Sequence, residues 1–232
     1  MTAAPLAAHD PHVLWTFLDR AVEHFAAPEA GDLLARAEAE FRRRTGDFEP
    51  GQAWYEERIR LFHDWFLFDL VLPDGRVPLG RFLDERGAAL SDEQREVYRE
   101  VWRAGHRSLF EVDRPRGSRM RLLDRIGGAT WELPGEAGLA GLAVCDLLDA
   151  RLLVVGGEPM LGRGLLVHPR PAREAILDAV RRAREACGGA PWDLLDVLAR
   201  MKAAWDRADV PRVPAIYGPG SYLFREFLRT CG

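Results

Sequence analysis

The stretch Phe62–Leu83, FHDWFLFDLVLPDGRVPLGRFL, decides how this chain is read. A strongly aromatic helix end there gives way to a Pro73-Asp74-Gly75 turn, and a second apolar segment starts at Pro78. Working back, the helix begins near Gly51. Trp54, Ile59, Leu61, Phe62, Trp65, Phe66 and Phe68 spread over more than one of its faces. A helix this apolar belongs at the centre of a fold, buried on two sides, rather than at its surface.

Upstream, apolar residues recur at helical spacing from Val13 to Phe25 and from about Glu29 to Arg44. The second of these ends in Arg42, Arg43 and Arg44, where positive charge suits a helix C-terminus. Downstream, Pro78 starts a short helix, and Ser91 with Gln94 forms a capping box that opens a helix to about His106. The period then becomes strand-like. Leu109–Val112, Arg119–Asp124 and Ala129–Leu133 read as strands, followed by the apolar runs GLAVCDLL, RLLVVGG and GLLVHP, punctuated by Asp149-Ala150, Gly156-Gly157 and Gly162. Helical spacing returns from about Ala172 to Cys187 and again from Pro191 to Trp205. VPRVPAIYGPG reads as extended, and Tyr217, Tyr222, Phe224 and Phe227 suggest a tail that docks. The expected architecture is α+β in one unit: helices over 1–106, a small antiparallel β-barrel or bent sheet over 107–168, and helices over 169–232.

A chain of 232 residues with 47% hydrophobic residues has ample material for a core. Its net charge of -4 argues against general attraction to nucleic acid or membranes. Lys202 is the only lysine among 32 basic residues, a bias attributable to coding composition. Cys145, Cys187 and Cys231 are far apart and odd in number, so no disulfide framework is expected. Cys145 reads as a small core residue, and Cys231 as a thiol beside the end of the chain. The N-terminal MTAAPLAAHDPH lacks the basic start and apolar run of a leader, and no segment nears the ~20 apolar residues of a membrane span. The expected location is the cytoplasm.

Trp65-Phe66-Leu67-Phe68-Asp69, then Asp74-Gly75-Arg76 and Phe82-Leu83, then Ser108-Leu109-Phe110-Glu111-Val112, and finally DLLDARL at Asp146–Leu152 form a recurring set. Together they resemble a group of uncharacterised bacterial proteins with a WFxFD element and a small β unit, often ending in a Cys-rich SEC-C zinc motif. The likeness covers roughly residues 57–167 and implies helices packed on a small β unit, with no activity attached. The zinc motif has no counterpart here, because Cys231 lacks Cys or His neighbours.

The chain carries no HExxH, GxSxG, GxGxxG or GxxxxGK[ST] motif. His9 and His12 with Asp10 read as a solvated end, and His63-Asp64 as neighbours that do not face each other along a helix. Two candidate surfaces remain. One is a basic hairpin of Arg114, Arg116, Arg119, Arg121 and Arg125, suited to phosphate, a nucleotide, RNA or an acidic partner. PilZ domains grip a cyclic dinucleotide with arginines near a barrel, but here Ile126 stands where their D-x-S-x-x-G signature needs Ser. The other is an aromatic group of Trp192, Trp205 and Tyr217, suited to protein docking. No catalytic residue, metal ligand or cofactor is expected. The expected role is a non-enzymatic adaptor or regulator acting by protein contact. The alternatives are nucleic-acid or nucleotide binding by the Arg114–Arg125 hairpin, or an enzyme whose site is assembled from distant residues.

Overall fold

A computed structural model describes residues 11–114, 119–134 and 141–231. Its helices are α1 (Pro11–Ala26), α2 (Leu33–Thr45), α3 (Tyr55–Phe68), α4 (Pro78–Arg86) and α5 (Asp92–Ala104), then α6 (Arg173–Cys187), α7 (Leu194–Arg207), α8 (Val213–Ile216) and α9 (Tyr222–Thr230). Between the two sets lie β1 (His106–Val112), β2 (Arg119–Asp124), β3 (Thr130–Pro134), β4 (Leu147–Val155) and β5 (Glu158–Val167). The strands form one antiparallel sheet in the order β3-β2-β1-β4-β5. The sheet stays open but curls until β3 approaches β5, and Arg119 of β2 reaches Glu158 of β5 at 2.7 Å.

Side-chain alternation along the strands divides the core in three. Phe110, Val112, Leu148, Ala150 and Leu152 point inside the curl, with Leu122, Leu133 and Leu161. Leu109 and Leu147 point outward onto α6, α7 and α9. Leu153, Val155 and Leu166 point outward onto the N-terminal helices. Helix α3 is buried on two sides, as its apolar girth requires. Trp65 and Phe66 are only 3% and 0% exposed, and Phe41, Phe62 and Phe66 pack ring against ring around it. Its other side lies on β5, where Gly162 and Gly164 let the backbones close in. A Cβ on Gly164 would stand 2.8 Å from Leu61 Cα.

Helix α5 carries the capping box, with Gln94 N donating to Ser91 Oγ at 3.1 Å and Ser91 N to Gln94 Oε1 at 3.0 Å. It stops at Ala104 rather than at His106. Gly105 turns to extended backbone beneath Val101 and Phe68, too close for a side chain, and His106 begins β1. Glu100 on this helix accepts from Gly156 N (2.7 Å) and Gly157 N (2.9 Å), gripping the β4–β5 turn.

Several local expectations change. GLAVCDLL is mostly not a strand. Asp146 accepts from Ala143 N at 2.8 Å and ties back to Arg170, which closes a turn before β4 begins at Leu147. Cys145 is therefore exposed, with φ 72°, and not a core residue. Asp149-Ala150 does not punctuate two strands. Asp149 lies inside the continuous strand β4, where Arg107 compensates its charge. The segment read as extended contains α8, opened by Pro214 in its first turn. Cys187 and Cys231 form a disulfide across a separation of 44 residues. The folding of α9 back onto α6 brings together two cysteines whose spacing gave no sign of it.

Candidate functional site

The curled sheet turns polar residues as well as apolar ones toward the helices. Arg107 of β1 and Arg151 of β4 are direct cross-strand partners on its outer face. Two like charges in that relation repel unless each is compensated. Asp149, on the same face of β4, takes Arg107 Nε at 2.9 Å and Nη2 at 2.7 Å, and Asp69, at the end of α3, pairs with Arg151. Arg107 Nη1 also reaches Asp196 of α7 at 3.3 Å. Asp196 in turn accepts Arg44 Nε from the end of α2 at 2.6 Å. Burial works against the charge on Arg107. Asp149 outweighs it, with Asp196 and Asp69, and holds the guanidinium above its ordinary range.

All of these but Asp149, which is buried beneath them, line a cavity of about 350 Å³ between the sheet, α2, α3 and the entry to α7. Trp65, Gly105, His106, Trp192, Asp193 and Leu195 complete its wall. The aromatic element that opens this reading of the chain helps to build it: Phe68 lies 4.7 Å from the Arg151 guanidinium, and Asp69 is that guanidinium's ion partner. Asp149 and Arg151 come from DLLDARL, and Arg107 immediately precedes SLFEV. Three stretches noted above for their resemblance thus meet at or beside one cleft.

His106 brings an imidazole to that wall. Its Nε2 lies 2.8 Å from Asp124 Oδ2, and its ring meets Trp192 edge-on at 5.1 Å. Asp124 sits where β2 turns toward β3, and its Oδ1 accepts from Ser108 Oγ (2.5 Å), Ile126 N (2.9 Å) and Gly127 N (2.6 Å). Burial raises this carboxyl, but the hydrogen bonds from His106, Ser108 and Gly127 outweigh it and hold the pKa below the usual value. An ionised carboxylate only accepts, so His106 Nε2 carries the hydrogen, and in the neutral ring the lone pair is then on Nδ1. Ser108 is buried and donates to Asp124 rather than to His106, so the three do not form a Ser-His-Asp nucleophile relay.

The residues singled out from sequence fall elsewhere, with one exception. Trp192 lines the cleft, whereas Trp205 lies in the last turn of α7 against Tyr217, with ring centroids 6.0 Å apart, at the opposite end of that helix. Tyr217 is buried, and burial raises its phenol. Arg114 is exposed, Arg119 pairs with Glu158, Arg121 with Asp113 at 3.2 Å, and Arg125 with Glu111. Arg116 lies outside the described residues, as do His9 and Asp10. His63 is not among the cleft residues; burial, with Arg163, lowers its pKa. Among the described residues no group of three or more His, Cys, Asp or Glu is placed to hold a metal ion, and no helix is long and apolar enough to cross a membrane. Sequence reasoning missed His106, Asp124 and the Arg107–Asp149 and Arg151–Asp69 pairs, whose partners lie 18, 42 and 82 positions apart. Comparison with protein-family models, curated proteins and solved structures finds no match.

Proposed function

We propose that the cleft is the active site of an enzyme acting on a small polar molecule, with His106 as general base. The observation that carries this reading is the Asp124–His106 pair at the wall of a cavity floored by Arg107 and Arg151. Asp124 fixes the imidazole tautomer and steadies the imidazolium that forms when Nδ1 takes a proton. Fixed guanidiniums below it stabilise negative charge as it develops, without reorganising at the moment of reaction. The cavity is at the lower end of the size range of small-molecule sites. Reading the chain as a protein-contact adaptor has weaker support: among the described residues the exposed large apolar side chains are Val71, Trp102, Val144, Trp192, Val210 and Tyr222, each on a different segment of the chain, and Trp192 belongs to the cleft itself.

The test joins spectroscopy to turnover. Nitrogen-15 shifts of the His106 ring should report the Nε2–H tautomer in the parent protein, and a mixture of tautomers in Asp124→Asn. Turnover of a panel of p-nitrophenyl esters should fall on the order of 10²-fold or more in His106→Gln, and at least about tenfold in Asp124→Asn. Turnover unchanged in His106→Gln would remove the general base from this reading.

A further inference from the structure

The charges around the cleft indicate the class of ligand. Its lining holds three guanidiniums, from Arg44, Arg107 and Arg151, and three carboxylates, from Asp69, Asp193 and Asp196. A ligand that is only an anion meets those carboxylates, and one that is only a cation meets the guanidiniums. A molecule with both charges meets a partner for each and adds no net charge to a partly desolvated space.

The pairs also differ in how firmly they are closed. Arg107 is held by both oxygens of Asp149, and Arg151 and Asp69 are in direct contact. Arg44 keeps its Nε on Asp196 at 2.6 Å, but its Nη2 stands 3.5 Å from Asp193 Oδ1, the loosest pair in the wall, and the Asp193 side chain is 85% exposed. Their opposite charges sit side by side beside the indole of Trp192. An α-amino acid carries its ammonium and carboxylate on one carbon. It can enter this pair and replace a single long contact with two charge-assisted ones, carboxylate on Arg44 and ammonium on Asp193. Trp192, 42% exposed, then offers apolar surface to a side chain.

We infer that the cleft takes a zwitterion of amino-acid size, recognised at Arg44 and Asp193. The inference rests on the cleft being a ligand site, and it adds the chemistry of that ligand.

The experiment titrates the full chain with each standard L-amino acid and with its deaminated and decarboxylated analogues. Calorimetry is read beside the Trp192 indole N–H resonance, assigned with Trp192→Phe. At least one amino acid should bind ten times or more tightly than both of its singly charged analogues. Arg44→Gln and Asp193→Asn should each weaken it at least tenfold, and the double variant little further. Binding of an acid or an amine as tight as its parent amino acid overturns the inference, as does binding by no amino acid, or by the variants as well as by the parent. Ester turnover that still depends on His106 in those cases leaves the active-site reading standing and removes only the ligand class. Amino-acid binding with turnover indifferent to His106 does the reverse.

Discussion

Asp64, on the face of α3 that meets β5, is buried and accepts from Gly164 N at 2.9 Å. Burial pushes its carboxyl up to about 6 from an ordinary value of 3.8. Across that window the native protein holds a proton that the unfolded chain has released. Stability is therefore fully present below the lower value and falls as pH rises through the upper, by roughly 3 kcal/mol in all. Asp64→Asn keeps an oxygen for Gly164 N and has no proton to lose. It should be more stable than the parent by about 1–3 kcal/mol at pH 7, and no more stable near pH 4. Urea titrations at both values check this, and a difference that ignores pH would contradict it. Asp124 has the opposite sign: its stabilisation is present above the ordinary carboxylate value and is lost as pH falls through its lowered one. The residue scale is where the sequence was least legible. His63 drew attention because it adjoins Asp64, but adjacent helical side chains diverge. His106 meets Asp124 only because β1 and β2 pair with Phe110 opposite Asp124, a register that spacing alone leaves open.

Between elements, α3 and β5 approach each other backbone to backbone at Gly164. A Cβ added to Gly164 would lie 2.8 Å from Leu61 Cα and 3.1 Å from Arg60 O, both backbone atoms that cannot turn aside. Gly164→Ala should therefore destabilise the protein by about 1–3 kcal/mol through overpacking. Gly189→Ala, with no atom within 4 Å of the new methyl, should stay within about 0.5 kcal/mol of the parent. Thermal melts of the two variants make the comparison, and equal losses would show that α3 yields. At this scale the sequence reads well. The capping box and the strand Arg119–Asp124 stand where local chemistry places them. Errors arise where tertiary partners override local signals. Asp149 looked like a turn residue because its compensating Arg107 is 42 positions away, and GLAVCDLL looked like a strand because Asp146 closes its turn with side-chain bonds.

Over the whole molecule, the order of helices, sheet and helices follows from the change of period, and the central place of the aromatic helix from its apolar residues on more than one face. The clasp at the end does not. Cys187 closes α6 and Cys231 follows α9, so their bond ties the final helix to the body of the C-terminal core. Closing a loop of 44 residues lowers the entropy of the unfolded chain by an amount worth about 3–4 kcal/mol. Reduction of the parent and the substitution Cys231→Ser should each lower the melting temperature by a similar amount, and reductant should leave Cys231→Ser where it is. A parent indifferent to reductant would show that the clasp contributes little. Glu100 makes a different kind of tie. The helix that carries it holds the tip of the β4–β5 hairpin at Glu100 and, about one turn further on, gives way at Gly105 to the strand that begins with His106 at the cleft. The hairpin tip and the wall of the cavity are therefore both anchored to the C-terminal end of one helix.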